Sequence, residues 1–340
     1  MRARLTAVGW DADLAIEPAG PPPAPVRDTV VVAVEACGVC HRDCIDRAGR
    51  FAFIRVPITP GHEAVGRVVA VGPDVTEWKV GDRVASMHRD ACGDCDACAV
   101  GETSLCTRAA AVFGLMVDGG YASWMVAPER ALYPVPDEIP AALAAVFHCT
   151  LGTAYRGLVR GGGLAPGMRV LVTGANGGVG AATVQVASRL GAEVVATIRN
   201  AEQTRLVEEL GAAAVVAFGD GRFHKRLPGG PVDVAIDCVG APTFNAALRS
   251  LKLGGRVVAV GNVVETRVEL NLGYVITHGA RIIGSSGATR HDMDDVLSLH
   301  ARQPFRVPIH AELPLADADR AQRMVARGGL AGRIVLVPPS

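Results

Sequence analysis

Apolar and polar positions alternate in two different textures along the chain. Up to about residue 140, short valine-rich runs are broken by Gly, Pro and Asp: DTVVVAVEACGVC (28–40), GRVVAVGP (66–73) and VGDRVAS (80–86). Runs bounded by turn formers predict strands, and PPPAP (21–25) predicts a loop. From about 140 the spacing becomes helical in AALAAVFHCTLGTAYRGLV (141–159). An alternation follows. RVLVTG (169–174), EVVATI (193–198), AAVVAF (213–218), DVAIDCVG (233–240) and GRVVAVGN (255–262) predict strands. GVGAATVQVASRL (178–190), AEQTRLVEEL (201–210) and TFNAALRSL (243–251) predict helices between them. RIIGSSG (281–287) closes the block, and the tail predicts a helix near HDMDDVLSLHA (291–301) and a last strand at GRIVLVP (332–338). Helices alternating with apolar strands imply crossover connections and a buried parallel sheet, hence an α/β class with a β-rich portion ahead of it.

Length adds a second domain, because 340 residues exceed what a single core usually serves. With 49% hydrophobic and 20% charged residues, the chain can bury a large core. Acidic and basic residues balance at 34 each, so global charge points neither to nucleic acid nor to an anionic membrane. The N-terminal segment has no continuous apolar stretch of the signal-peptide kind, and no run is long enough to span a bilayer. The expectation is a soluble cytoplasmic protein whose thiols stay reduced.

In that setting, clustered cysteines read as metal ligands. ACGDCDACAVGETSLC (91–106) places Cys92, Cys95, Cys98 and Cys106 at C-x2-C-x2-C-x7-C spacing within a lobe of about 90–108. Four thiolates complete a closed tetrahedral Zn2+ shell that holds a loop together and leaves no position for substrate. An iron–sulfur cluster is the rival reading, but no proline follows the last cysteine as in ferredoxin runs.

LVTGANGGVGAATVQVA places a glycine loop between a predicted strand and helix. Ala175, Gly177 and Gly180 take the places of G-x-G-x-x-G, and the loop Gly174, Ala175, Gly177, Gly178, Val179 and Gly180 would seat a pyrophosphate at the helix N-terminus. At the end of the second strand, where NAD enzymes carry an acid for the ribose, the chain has Ile198, followed by Arg199 and Asn200. A missing carboxylate and an added guanidinium favour NADP(H) over NAD(H).

Outside the cysteine lobe, Cys40 lies in EACGVCHRD, His62 and Glu63 in TPGHEAVG, and Cys149 in VFHCTLGTAY. Two thiolates and one imidazole make a zinc site with its fourth position open. Together with GVCHRD, PGHEAVGRVVAVG, VGDRV, DGGYA and GANGGVG, these stretches resemble the zinc-dependent alcohol dehydrogenases of the medium-chain dehydrogenase/reductase superfamily.

The resemblance implies a GroES-like catalytic domain (1–152 and 286–340) split around a Rossmann domain (153–285). It implies two zinc ions per chain, the catalytic one on Cys40, His62 and Cys149, with Glu63 able to approach it and Asp43 orienting the histidine. His41 matches a residue near the pyrophosphate, and Thr153 one near the nicotinamide. It also implies a homodimer or homotetramer formed through the Rossmann sheet edge.

One position departs from the family. Two residues after the first zinc cysteine, where Ser or Thr usually relays the alcohol proton, the chain has Arg42, which cannot act as a base. Arg42 could bind an anionic group of the substrate or brace its loop through a salt bridge. The HRD stretch and APTFNAALRSLKLGGRVVAVGNV are similar to zinc-containing acryloyl-CoA reductases. Arg47, Arg50 and Arg55 could then form a basic rim for a phosphate-bearing acyl-CoA, or be ordinary surface arginines. The leading expectation is interconversion of an alcohol with its aldehyde or ketone, and the alternative is reduction of an enoyl-CoA thioester. A non-enzymatic cofactor binder is disfavoured by the three open-site ligands.

Overall fold

The computed structural model describes residues 1–109, 111–263 and 267–339. The chain divides into two compact units.

The first comprises Met1–Cys149, Thr289–Met293 and Ile309–Ser340. Its seven-stranded sheet is built around the strand Thr29–Val39, which pairs antiparallel with Ala64–Val71, Trp124–Pro128 and Arg333–Val337. Val30, Val31, Val32 and Val34 in this strand are all buried, as expected for a central strand covered on both faces. The core they share with Phe113, Tyr121, Ile334 and Leu336 fixes the strand ends from which the candidate ligands project.

The second unit, Thr150–Ala288 and Asp294–Pro308, is a six-stranded parallel sheet. Its spatial order is Ala214–Ala217, Glu193–Ile198, Arg169–Thr173, Val232–Asp237, Leu251–Ala259 and Arg281–Gly284. The sequence order therefore reverses next to Arg169–Thr173, the switch point at which doubly wound folds bind ligands. The fold is the expected GroES-like domain plus a Rossmann domain.

Each predicted element of the alternating block is present, with shifted ends; for instance, the strand expected at 255–262 extends back to Leu251. Residues 294–308 cluster with the second unit, although the resemblance placed them in the first. The cause is local bonding: Tyr155 donates to Asp295, and Gln185 exchanges hydrogen bonds with the backbone of Arg306. The helix that starts at Ala141 widens to i→i+5 turns over His148–Gly152. Such insertions are common at functional sites, and Cys149 sits in this one.

Candidate active site

Both cysteine groups bring their donors together. In the lobe, Cys95 precedes the short helix Asp96–Ala99, and Cys106 follows the turn Thr103–Leu105. The sulfurs of Cys92 and Cys98 are 3.9 Å apart, those of Cys95 and Cys98 3.5 Å, and those of Cys95 and Cys106 3.9 Å. These separations are too long for disulfides. They match the roughly 3.8 Å between sulfurs that Zn–S bonds of about 2.3 Å impose at a tetrahedral centre. Backbone amides of Cys98 and Thr107 pull the Cys95 thiol down to about 6, towards the thiolate that binds metal. Arg89 donates to the carbonyls of Ser104 and Cys106, tying the lobe to the sheet side of the unit.

The second group lies at the ends of the central strands. Cys40 caps the helix His41–Arg47, where its sulfur accepts from the Arg42 amide. Its sulfur lies 3.7 Å from that of Cys149, again the tetrahedral spacing. One thiol donates to the other, so Cys40 is drawn below the usual thiol range and Cys149 is pushed above it. Donor atoms of Cys40, His62, Glu63 and Cys149 all lie within 4.8 Å of one another. His62 is buried and donates from Nδ1 to Asp43 Oδ1 at 2.9 Å, which leaves Nε2 turned to the group. Asp43 is itself held by the Cys40 amide at 2.9 Å and by the Tyr121 hydroxyl at 3.0 Å.

Glu63 has no solvent exposure. Its Oε1 accepts from Arg333 Nη2, while Oε2 has no partner among the described residues. A buried carboxylate oxygen without a donor, beside two sulfurs and a ring nitrogen, is the donor set that a divalent cation satisfies. Gly38 makes room for it, since a Cβ there would lie 2.2 Å from Oε2.

Arg42 is committed elsewhere. Its Nε donates to Asp46 Oδ2 at 2.9 Å and its Nη2 to the carbonyl of Phe113 at 2.7 Å. Burial pushes the Asp46 carboxyl up to about 6, against the opposing effect of Arg42. The geometry therefore gives Arg42 the loop-bracing contacts. The stacked rings of His88 and His148, 5.4 Å apart, lie beside the ligand-bearing turn, and burial holds His88 well below the usual histidine range.

In the second unit, the strand Arg169–Thr173 ends at Gly174, whose φ of +60° suits glycine. Gly177 caps the helix Gly178–Arg189, whose first-turn amides, those of Gly178, Val179 and Gly180, have no acceptor within the helix. A Cβ on Gly180 would lie 2.1 Å from the Gly174 carbonyl oxygen, so this position must stay bare for helix and strand to close together. A Cβ on Gly177 would meet only that same oxygen within 4 Å among the described residues, at 3.4 Å, so space is open over the first turn for a pyrophosphate. Ala175 is buried beneath it. At the end of Glu193–Ile198, Ile198 is buried, Arg199 is exposed, and Asn200 caps the next turn by accepting from the Glu202 amide.

The same combination of two metal-fitting sites and a dinucleotide loop occurs in known proteins. Residues 26–137 match the alcohol dehydrogenase GroES-like domain, and residues 178–302 match the zinc-binding dehydrogenase domain. An acryloyl-coenzyme A reductase of Sulfurisphaera tokodaii is 33% identical over 94% of this chain and 95% of its own. The chain belongs to the zinc-dependent alcohol dehydrogenase family of the medium-chain dehydrogenase/reductase superfamily. An alcohol dehydrogenase of Geobacillus stearothermophilus is 34% identical over 90% of this chain and 91% of that one. Among solved structures, AibC has a TM-score of 0.91 and 39% identity, covering all of this chain and 96% of that one.

This zinc-binding dehydrogenase contains site residues that its sequence did not announce. Arg333 faces Glu63 across 270 positions, and nothing in GRIVLVP marks it as more than a strand-flanking cation. Tyr121 lies in the quoted DGGYA stretch, yet its bond to Asp43 follows from the fold alone. Asp237 accepts from Thr173 and Thr243 and from the amides of Val239 and Gly240, locking the strand ends beneath the glycine loop. His41 and Thr153 are both half-buried, on the first and second unit respectively. Arg47 does not join a basic rim. It is 1% exposed, bonded to Asp319 at 2.7 Å and to the Ala12 carbonyl, and packed over the Trp10 ring. Among the described residues, no helix is long and apolar enough to cross a membrane.

Proposed function

We propose that this oxidoreductase reduces the conjugated double bond of an enoyl-CoA thioester with NADPH. The observation that carries the reading is the bonding of Arg42 to Asp46 and Phe113 at the place where alcohol dehydrogenases keep a relaying hydroxyl. Reducing a carbonyl requires a proton at the oxygen beside the metal, and a guanidinium cannot relay it. Conjugate reduction places the hydride of NADPH on the β-carbon and a proton from solvent water on the α-carbon, so it does not need a relay to the oxygen. The acryloyl-CoA reductases among the relatives support the same reading. Alcohol–carbonyl interconversion, which the sequence ranked first, is the second reading, supported by the equally similar alcohol dehydrogenases.

In this proposal Cys40, His62 and Cys149 hold the catalytic zinc. When bound there, zinc acts as a Lewis acid on the substrate carbonyl oxygen, and NADPH supplies the hydride. Asp43 holds the His62 tautomer, Tyr121 holds Asp43, and Arg333 neutralises Glu63, which otherwise adds a third negative charge around the ion. Cys92, Cys95, Cys98 and Cys106 hold a second, structural zinc. The Gly174–Gly180 loop seats the pyrophosphate, while Thr153 packs near the nicotinamide, and Arg199 with Asn200 receives the 2′-phosphate. The catalytic domain is the first unit and the Rossmann domain the second. The enzyme works in the cytoplasm as a homodimer or homotetramer joined through the exposed edge strand Arg281–Gly284.

NADPH oxidation measured with acryloyl-CoA and with a panel of short aldehydes and ketones tests the reading. Turnover of the thioester, with propionyl-CoA as product, is expected. Turnover confined to the carbonyl panel would replace it with the second reading.

A further inference from the structure

We infer that the loop 49–56 is a recognition site for the adenosine bisphosphate end of coenzyme A; the inference rests on the enoyl-CoA reading above. The loop reads GRFAFIRV and leaves the helix His41–Arg47, whose cap is Cys40. It exposes two guanidiniums, Arg50 and Arg55, on either side of an aromatic ring, Phe53, which is 54% exposed and leans on Phe51 at 5.4 Å. The exposed phenyl face, braced by a second ring, is a flat apolar surface on which a planar group can stack.

The surroundings make the patch electropositive. No acidic residue occurs between Asp46 and Glu63, and none between Glu102 and Asp118. These two segments are joined, because the Arg55 amide donates to the Leu115 carbonyl at 2.9 Å. Several arginines of this unit have carboxylate partners: Arg4 with Asp118, Arg67 with Asp137, Arg108 with Asp94, and Arg323 with Asp13. Arg55 has no ion pair among the described residues. The loop is also anchored, with Ile54 packed on the core of the unit, so the rings and charges are displayed on a fixed support.

The position suits a long ligand. Leu115 is two residues from Phe113, whose carbonyl accepts from Arg42, so the loop is linked through segment 113–115 to the helix that Cys40 caps. A thioester placed at the metal-fitting group needs its distant nucleotide recognised somewhere on the rim. Guanidiniums meet phosphates bidentately, and a phenyl face stacks on a purine.

The test compares acryloyl-CoA with acryloyl-pantetheine, which has the same reacting group and no nucleotide. The wild-type enzyme is expected to favour the CoA thioester in KM. In Arg50→Ala/Arg55→Ala that preference should fall by about 10–100-fold, and in Phe53→Ser by about 10-fold, with little change in kcat. Arg205→Ala removes one charge from the other unit and should leave the preference intact. Free coenzyme A, titrated calorimetrically at low and high salt, should lose affinity in the double-arginine variant by a similar factor. An unchanged preference and unchanged coenzyme A affinity in that variant overturn the inference. If neither thioester is reduced, the functional reading falls, and the coenzyme A titration alone decides the loop.

Discussion

Arg333 donates from Nη2 to Oε1 of Glu63, forming a buried ion pair between the last strand of the chain and the residue next to His62. The pair matters because Glu63 lies among metal-fitting donors while its other oxygen has no partner. Replacing Arg333 with Met leaves a buried carboxylate without its cation. That should cost about 3–5 kcal/mol of stability. Adding Glu63→Gln should return more than half of the loss, because the uncompensated charge is gone. Denaturant unfolding of the three zinc-loaded variants reads both effects.

Asp43 fixes His62 through a 2.9 Å bond and is itself fixed by Tyr121. Asp43→Ala is expected to weaken zinc at the Cys40–His62–Cys149 group by roughly 10–100-fold, with a smaller loss for Tyr121→Phe. Competition against a chromophoric chelator measures the affinity. Equal affinity in wild type and Asp43→Ala would remove Asp43 from its proposed role.

The four-cysteine lobe and the open site are separate groups in the sequence and in space. Cys98→Ser should lower zinc content from two ions per chain to one and make segment 90–108 sensitive to protease, because the loop has little regular structure besides Asp96–Ala99 and Thr103–Leu105. Elemental analysis together with limited proteolysis reads both. Retention of both ions by the variant would show that the lobe is not a zinc site.

At the end of Glu193–Ile198 there is no acidic residue, and Arg199 is exposed there. Arg199→Ala is expected to reduce kcat/KM for NADPH by about 10–100-fold while NADH changes little, since only NADPH carries the 2′-phosphate. Steady-state kinetics with both cofactors decide the matter, and parallel losses would assign Arg199 to the surface.

Asp319 ties Arg47 and Arg323 to the N-terminal loop through the Leu14 amide. Burial alone would raise its carboxyl, but the hydrogen bonds from Arg323 and Arg47 outweigh it and hold the group below the usual carboxylate range. A folded value below the unfolded one means that stability is gained above about pH 4 and lost as pH falls through the folded value. Asp319→Asn should therefore cost about 1–3 kcal/mol at pH 7, and the gap to wild type should close on acidification. Thermal unfolding from pH 7 down to pH 3 tests the convergence.

Local pattern was enough for the broad organisation of this protein. Valine-rich runs, helical spacing and the glycine loop between a strand and a helix specify α/β units, because these depend on residues a few positions apart. Cysteines at C-x2-C steps are legible for the same reason: their donors are close in any compact loop. Cys40, His62 and Cys149 were legible only as a set, sharpened by the resemblance, since a single cysteine or histidine is an ordinary residue. Only tertiary structure could pair Glu63 with Arg333, bury Arg47 beneath Trp10, and turn Arg42 from the substrate side towards Asp46 and Phe113. The fate of a charged side chain is settled by which distant strand or carbonyl comes within about 3 Å of it, and sequence spacing carries no record of that approach.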